Sequence, residues 1–342
     1  MSSTSPGPWG AVPDAPPSAP VGINATDFLS AQRANRRNTW WLILILLLLG
    51  GVIGYLGGAL IESYSQSYGD AALLAVSPFG VIGGGALISI GLGASAVTFA
   101  FGDRVILGLA GAREVDSDSE PMLHNIVEEM AIAAGLPKPR VAVIETDVPN
   151  AFATGMDPKN AAIGVTRGLL QKLNRDELQG VVAHEMGHIL NWDIRYATAV
   201  AILVGLIALV CDVARRMLWF TGGSRRSGRG KGGGNAILLL IFLVFAVLAP
   251  IAAQLVRFAV SRQREYLADA TSVQLTRNPL GLIGALEKLA AEQRPFAGAN
   301  RATQHMFIVN PFKAFGLDSG ALFSTHPPLE RRVERLRNLG VL

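Results

Sequence analysis

At 342 residues, 50% hydrophobic and only 16% charged, the chain is more apolar than a soluble domain of its size, and the excess falls in blocks, as in proteins that alternate membrane spans with water-exposed segments. Its 30 Lys and Arg against 26 Asp and Glu leave a net charge of +4, gathered in arginine clusters beside those blocks. That pattern fits membrane topology and excludes a nucleic-acid partner, for which no recognisable module is present. The single cysteine, Cys211, rules out an intramolecular disulfide.

Residues 1–38 read as a disordered, Pro- and Ser-rich cytoplasmic tail with no signal peptide. Arg33, Arg36 and Arg37 stand before an uncharged run, 40–61, which opens with Trp40 and Trp41 and is long enough to cross a hydrocarbon core of about 30 Å. The linker after it carries Glu62 and Asp70 but no Lys or Arg, and a second apolar run, 76–101, ends at Asp103 and Arg104. Residues 39–102 are therefore expected to form a transmembrane hairpin with both ends in the cytoplasm.

From 103 to 195 the composition is that of a water-soluble domain. Leu123, Ile126, Val127, Met130, Ala131 and Ala134 recur at helical spacing until Gly135-Leu136-Pro137 stops the helix. Residues 140–146, 151–154 and 161–166 read as strands of a small sheet, the last two joined through a turn-rich segment at 155–160. Asn174, with Glu177 three residues on, is an N-cap signal for the helix that follows.

A second hairpin is expected at 196–257, with spans at about 196–212 and 236–256. The loop between them is glycine-rich and basic, from Arg215 to Lys231, and conflicts with the positive-inside rule if it faces outward. Residues 258–342 return to soluble composition, with a helix broken at Asn278-Pro279, then Thr325-His326-Pro327-Pro328 and a short basic helix ending near Gly340.

The chemistry centres on His184-Glu185-Met186-Gly187-His188, an HExxH motif. Four residues apart on a helix, His184 and His188 can turn imidazole nitrogens to one zinc ion, and Glu185 can reach a water on that ion as general base without being a ligand. A catalytic zinc takes three protein ligands, so a third must come from elsewhere. Glu265 and Asp269, four apart in Arg264-Glu265-Tyr266-Leu267-Ala268-Asp269, share a helix face. Glu265 could complete the site while Asp269 accepts the far ring N–H of a ligand histidine. The alternative is a solvated helix with Arg264 paired to either acid.

The ordered set His184-Glu185-x-x-His188-x-x-Asn191-x-Asp193, Ser261-Arg262-x-Arg264-Glu265-Tyr266-x-Ala268-Asp269 and His326-Pro327-Pro328, with Asn150-Ala151-Phe152-Ala153-Thr154-Gly155 ahead of the first helix, resembles the HtpX group of membrane zinc metalloproteases, gluzincins similar to the CAAX prenyl protease. Trp192 stands where that group is expected to carry a small residue. The resemblance implies one zinc per chain on His184, His188 and Glu265, supported by Asp269, and proteolysis of damaged or misfolded membrane proteins at the inner (plasma) membrane. The fold class expected is a multi-pass α-helical membrane protein with a mainly α-helical α+β zincin domain carrying a small sheet.

Three further expectations attach to that reading. Asn150, Ala151, Phe152, Ala153, Thr154 and Gly155 are candidates for an edge strand that binds extended substrate, with an ordinary core strand as the alternative. His326 and Arg332 are candidate oxyanion donors, with a C-terminal lock as the alternative. An intramembrane site-2-type protease, with Leu317-Asp318-x-Gly320 as its second motif, and a non-catalytic zinc scaffold or quality-control adaptor are the rival readings. Polar residues on both sides of HExxH argue against the first, and Glu185, of no use to a structural site, argues against the second.

Overall fold

The computed structural model describes residues 25–65, 77–203, 262–291, 306–308 and 327–339. Cys211, His305, Leu317, Asp318, Gly320, His326, the basic loop 215–231 and most of the second expected hairpin lie outside these residues.

Helix α1 (Ala25–Ser65) and helix α2 (Pro78–Leu109) contain candidate membrane spans of 28 and 32 residues, charged residues at their ends included. At about 1.5 Å per residue each exceeds the thickness of a bilayer core. They pack closely because small residues meet small residues, and a methyl group on Gly58 would collide with the Phe79 carbonyl. Their outer faces expose Trp40, Leu48, Ile82 and Ile90, side chains suited to lipid contact.

Both helices outrun the apolar blocks. α1 begins at Ala25, inside the tail expected to be disordered, and its Gln32 and Asn35 bond to Leu190 and Asp193, at the end of the HExxH helix. α2 continues past Asp103 to Leu109, because Asp103 is paired with Arg140 of the sheet and Ile106 and Leu107 are buried beneath that sheet.

The sheet has the order β1-β2-β4-β3, built from β1 (Ala112–Glu114), β2 (Arg140–Ile144), β3 (Ala151–Gly155) and β4 (Ala161–Thr166). β2 and β4 are parallel, and the two flanking pairs are antiparallel. One face packs Val141, Val143, Ile163 and Val165 against α3 (Pro121–Ala134) and α5 (Arg175–Leu190), with the short α4 (Arg167–Lys172) between β4 and α5. The other face packs Ala142, Ile144 and Phe152 against α2 and Phe307. Phe152 finds room because Gly164, opposite it on β4, has no side chain.

After α5 the chain turns at Asn191-Trp192 into a further helical run, α6 (193–203), the first part of the third apolar block. α7 (Arg262–Thr276) ends at Arg277, whose φ of 55° breaks the helix before Pro279 opens α8 (Pro279–Ala290). α9 (Leu329–Leu339) lies across α7 and α8. α5 sits in the middle of this arrangement, against α3, the sheet, α7 and α8. At Gly187 an added Cβ would stand 3.1 Å from the Ala268 Cα, so α5 and α7 cross with their backbones nearly in contact just where each carries site residues.

Candidate metal centre

The helix that presents HExxH is held at its start by its own sequence. The Asn174 side chain accepts from the Glu177 N–H at 3.0 Å, and the Glu177 carboxylate accepts from the Asn174 N–H at 2.8 Å, a complete capping box. From that start the 3.6-residue period puts His184 and His188 on one face, and their Nε2 atoms lie 3.2 Å apart. α7 brings Glu265 to the same point, with its carboxylate oxygens 3.8 Å from His184 Nε2 and 3.7 Å from His188 Nε2. The three ligand atoms all fall within 4.8 Å of one another.

Each imidazole is oriented from behind by a carboxylate. His184 Nδ1–H donates to Asp269 Oδ1 at 3.0 Å, and His188 Nδ1–H donates to Asp193 Oδ2 at 2.9 Å. These bonds commit each Nδ1, so the two Nε2 atoms are turned toward each other and toward the Glu265 carboxylate. Such an arrangement is repulsive alone and stable around a cation, and two imidazole nitrogens with one carboxylate form a donor set that holds a divalent metal.

The electrostatics agree. Burial, with the Arg332 guanidinium beside it, pushes His184 down to about 4, so that ring stays neutral. Burial also works to lower His188, but the Asp193 hydrogen bond and the negative charges of Glu265, Asp193 and Glu185 override it and hold the ring at about 9. The pocket favours positive charge where the two rings meet. Glu185 is pushed up to about 7 by burial, with Glu265 adding to the effect and His188 and Arg332 opposing it. The Ala153 backbone lies close enough to its carboxylate to oppose the rise, and its Oε2 has no hydrogen-bond partner among the described residues.

Asp269 is itself held. Arg332, fully buried on α9, donates from Nε to Asp269 Oδ2 at 2.9 Å and from Nη2 to Asp269 Oδ1 at 2.6 Å. Burial raises the Asp269 carboxyl, and Arg332 and His184 outweigh that effect and keep it below the usual carboxylate range. Arg332 Nη1 stands 3.4 Å from Glu265 Oε2, so one guanidinium faces both acids of α7. The structure thus brings Arg332 to the site, clamping carboxylates, with Nη2 3.3 Å from His184 Nδ1 and 3.4 Å from His184 Nε2. Nε and Nη2 serve Asp269, and Nη1 has no hydrogen-bond partner among the described residues. His326, the other candidate donor, lies outside the described residues. The Arg264 guanidinium lies over the Tyr196 ring, and Glu265 and Asp269, which the solvated-helix alternative left in water, are both buried.

β3 is one of the two edge strands of the sheet, and the Thr166 N–H bond to Asn150 O sets the register so that Ala151, Ala153 and Gly155 turn their backbone groups outward. Some of those groups have partners. The Ala151 carbonyl accepts the Ile308 N–H at 3.0 Å, the Ala153 N–H reaches Glu185, and the Gly155 N–H donates to Thr198 Oγ1 at 3.1 Å. Asn150, Phe152 and Thr154 are buried within the domain. The contact between Ala153 and Glu185 ties the strand directly to HExxH.

Asp193 as the partner of His188, and Arg332 as the clamp on Asp269, are roles that spacing did not reveal. Asp193 lies beyond the helix end, across Trp192, whose φ of 60° is a left-handed conformation rarely taken by an aromatic residue.

An HExxH helix and a remote glutamate converging on one cation position, behind a small mixed sheet and beside two membrane-length helices, define a membrane-anchored metallopeptidase. The match to Peptidase family M48 covers residues 117–340, and the chain belongs to that family. It is 52% identical over 240 residues to a Protease HtpX homolog of Caldanaerobacter subterraneus subsp. tengcongensis, covering 70% of this chain and 79% of that one. It is 43% identical over 309 residues to the Protease HtpX homolog of Streptococcus gordonii, covering 90% of this chain and 98% of the other. Among solved structures, Ste24p of S. mikatae aligns with a TM-score of 0.44 and 18% identity over 91% of this chain and 67% of that one.

Proposed function

We propose that this metalloendopeptidase uses zinc, held by His184, His188 and Glu265, to cut peptide bonds in misfolded or damaged membrane proteins. The observation that carries the reading is the convergence of the two Nε2 atoms and the Glu265 carboxylate, with the raised Glu185 carboxyl as their neighbour. Zinc there supplies Lewis-acid activation of water and of the scissile carbonyl. Glu185 takes the proton of the attacking water and returns it to the leaving amine, work suited to a carboxyl poised near neutrality. Asp269 holds His184 in its tautomer, and Arg332 holds Asp269. An extended substrate at the β3 edge meets backbone groups already engaged by Ile308, Glu185 and Thr198, so main-chain pairing there requires some of those bonds to be exchanged for bonds to the peptide.

The same reading places the protein in the inner (plasma) membrane as a multi-pass chain, with the N-terminus and catalytic domain cytoplasmic. The polar start of α1 and the end of α2 both meet the soluble domain, so the first hairpin returns to the side it left. Since His184 and Glu265 meet at one point, the chain between them crosses an even number of times.

Purified full-length protein should cleave casein, lose that activity with a chelator and regain it with zinc. Glu185→Gln should keep the metal and lose at least about three orders of magnitude in turnover. A metal-loaded Glu185→Gln protein that still cleaves casein overturns the assignment. For the topology, Ser227→Cys in a Cys211→Ser background should react with an impermeant maleimide on intact cells; labelling only after lysis refutes the second hairpin.

A further inference from the structure

The carboxylate behind His188 has two oxygens, and only Oδ2 serves the imidazole. Oδ1 of Asp193 accepts from Asn35 Nδ2 at 2.6 Å, and that same amide nitrogen reaches the Asn191 carbonyl at 3.1 Å. Asn35 is a residue of α1, the first membrane-length helix, and it is buried, 3% exposed. A carboxylate bonded through one oxygen keeps a broad torsion about its last bond; a donor on the other oxygen fixes the plane, and with it the ring it orients. Arg264 is the cation nearby, but its Nε stands 4.0 Å from Asp193 Oδ1, beyond hydrogen-bond distance.

Asn35 does not act alone on that face. Gln32 Nε2 donates to the Leu190 carbonyl at 2.8 Å, and the Arg36 guanidinium sits 5.2 Å from the centre of the Trp192 ring, with Arg195 at 5.7 Å. Gln32, Asn35 and Arg36 share one side of α1 by their spacing. Together they close the C-terminal end of the HExxH helix, whose last carbonyls have no partner within the helix, and they brace the left-handed turn at Trp192 that aims Asp193 back at His188.

We propose that Asn35 is a positioning residue for the metal site: through Asp193 it sets the orientation of the ligand His188, so that the first membrane helix is part of the apparatus that holds the metal. This rests on the metal reading proposed above. It extends the oriented-ligand chain, imidazole to carboxylate, one step further, from carboxylate to an amide on another element. Because α1 runs unbroken from Ala25 to Ser65, a rotation of the span about its axis carries Asn35 away from Asp193 and loosens His188.

The test is zinc affinity of the full-length protein in nanodiscs, measured by competition with a fluorescent chelator. Asn35→Leu should lower affinity about tenfold, the lower part of the range for losing a group behind a ligand. Asp193→Asn should lower it as well, and adding Asn35→Leu to Asp193→Asn should cost nothing more, since the amide acts through that carboxylate. Gln32→Leu removes a bond to a main-chain carbonyl and leaves the Asn35–Asp193 bond in place, so it should lower affinity clearly less than Asn35→Leu does; an equal loss in the two variants would show that the helix end as a whole, and not Asn35, sets His188. If Asn35→Leu does not fold, Asn35→Ala is measured with the same expectation. Affinity within twofold of the parent, or an equal further loss in the Asp193→Asn background, overturns the inference. A parent protein that takes up no zinc overturns the metal reading itself, and this inference with it.

Discussion

The two histidines of HExxH are a pair in sequence and not in their surroundings. Behind His184 stands Asp269, gripped by the buried Arg332, so that side is a closed web of full charges drawn from α5, α7 and α9. Behind His188 stands Asp193, whose other oxygen meets a neutral amide from α1. His184 is 1% exposed and His188 16%. One half of the site is fixed within the soluble domain by ion pairing, and the other is fixed from the membrane side by hydrogen bonds. Charge pairing in a dry interior is costly to disturb, whereas a neutral bond to a carboxylate is worth less and moves more easily.

Breaking the charged half should have the largest effect. Arg332→Met leaves Asp269 and Glu265 buried without their cation, a change that typically destabilises by about 3–5 kcal/mol. Thermal or denaturant unfolding of the metal-free protein in detergent reads it directly. A variant as stable as the parent would mean that α9 merely covers the site.

The comparison sharpens at the two carboxylates. Asp269→Asn and Asp193→Asn should each weaken zinc binding within the 10- to 100-fold range seen when a group behind a ligand is lost. The loss should be greater at Asp269, because its replacement also removes the nearer of the two acids that face the buried Arg332, whereas Asp193→Asn leaves a neutral amide facing a neutral amide, with Arg264 4.0 Å away. Chelator competition on the two variants ranks them; the reverse order would show that the membrane side carries the tighter hold.

How much of this the sequence disclosed divides along the same line. His184 and His188 were legible because helical spacing puts them on one face, and the start of α5 because a capping box is local; spacing alone left Glu265 and Asp269 open to a solvated helix, and the ordered motifs of the resemblance singled them out. Arg332 was legible as a site residue but not in its geometry, since nothing in spacing says which side chains a distant guanidinium meets. Asp193 lies past the helix end on a turn whose left-handed residue is a tryptophan, where neither helical nor strand periodicity applies. Asn35 stands 158 residues from its partner in a stretch whose composition suggested a tail; only packing against the domain makes it helical and buried. The short β1 strand has three residues, too few for a period to show.

The smallest effect is expected at the other end of α5, where the helix is closed by its own sequence instead of by α1. Glu177 accepts the Asn174 N–H at 2.8 Å and Lys288 Nζ at 2.7 Å. Glu177→Ala removes half of the capping box and an ion pair whose lysine side chain is 41% exposed, so the pair itself adds little and the total loss should be about 1 kcal/mol. His184 lies seven residues further along the helix and is fixed by Asp269 and by the crossing with α7 at Gly187, neither of which involves the cap. Stability should therefore fall while zinc affinity stays within twofold of the parent. If Glu177→Ala weakened zinc binding as much as Asp193→Asn does, α5 would be acting as a rigid lever between its two ends, and the closure of its far end by α1 would be one constraint among several in place of the one that orients His188.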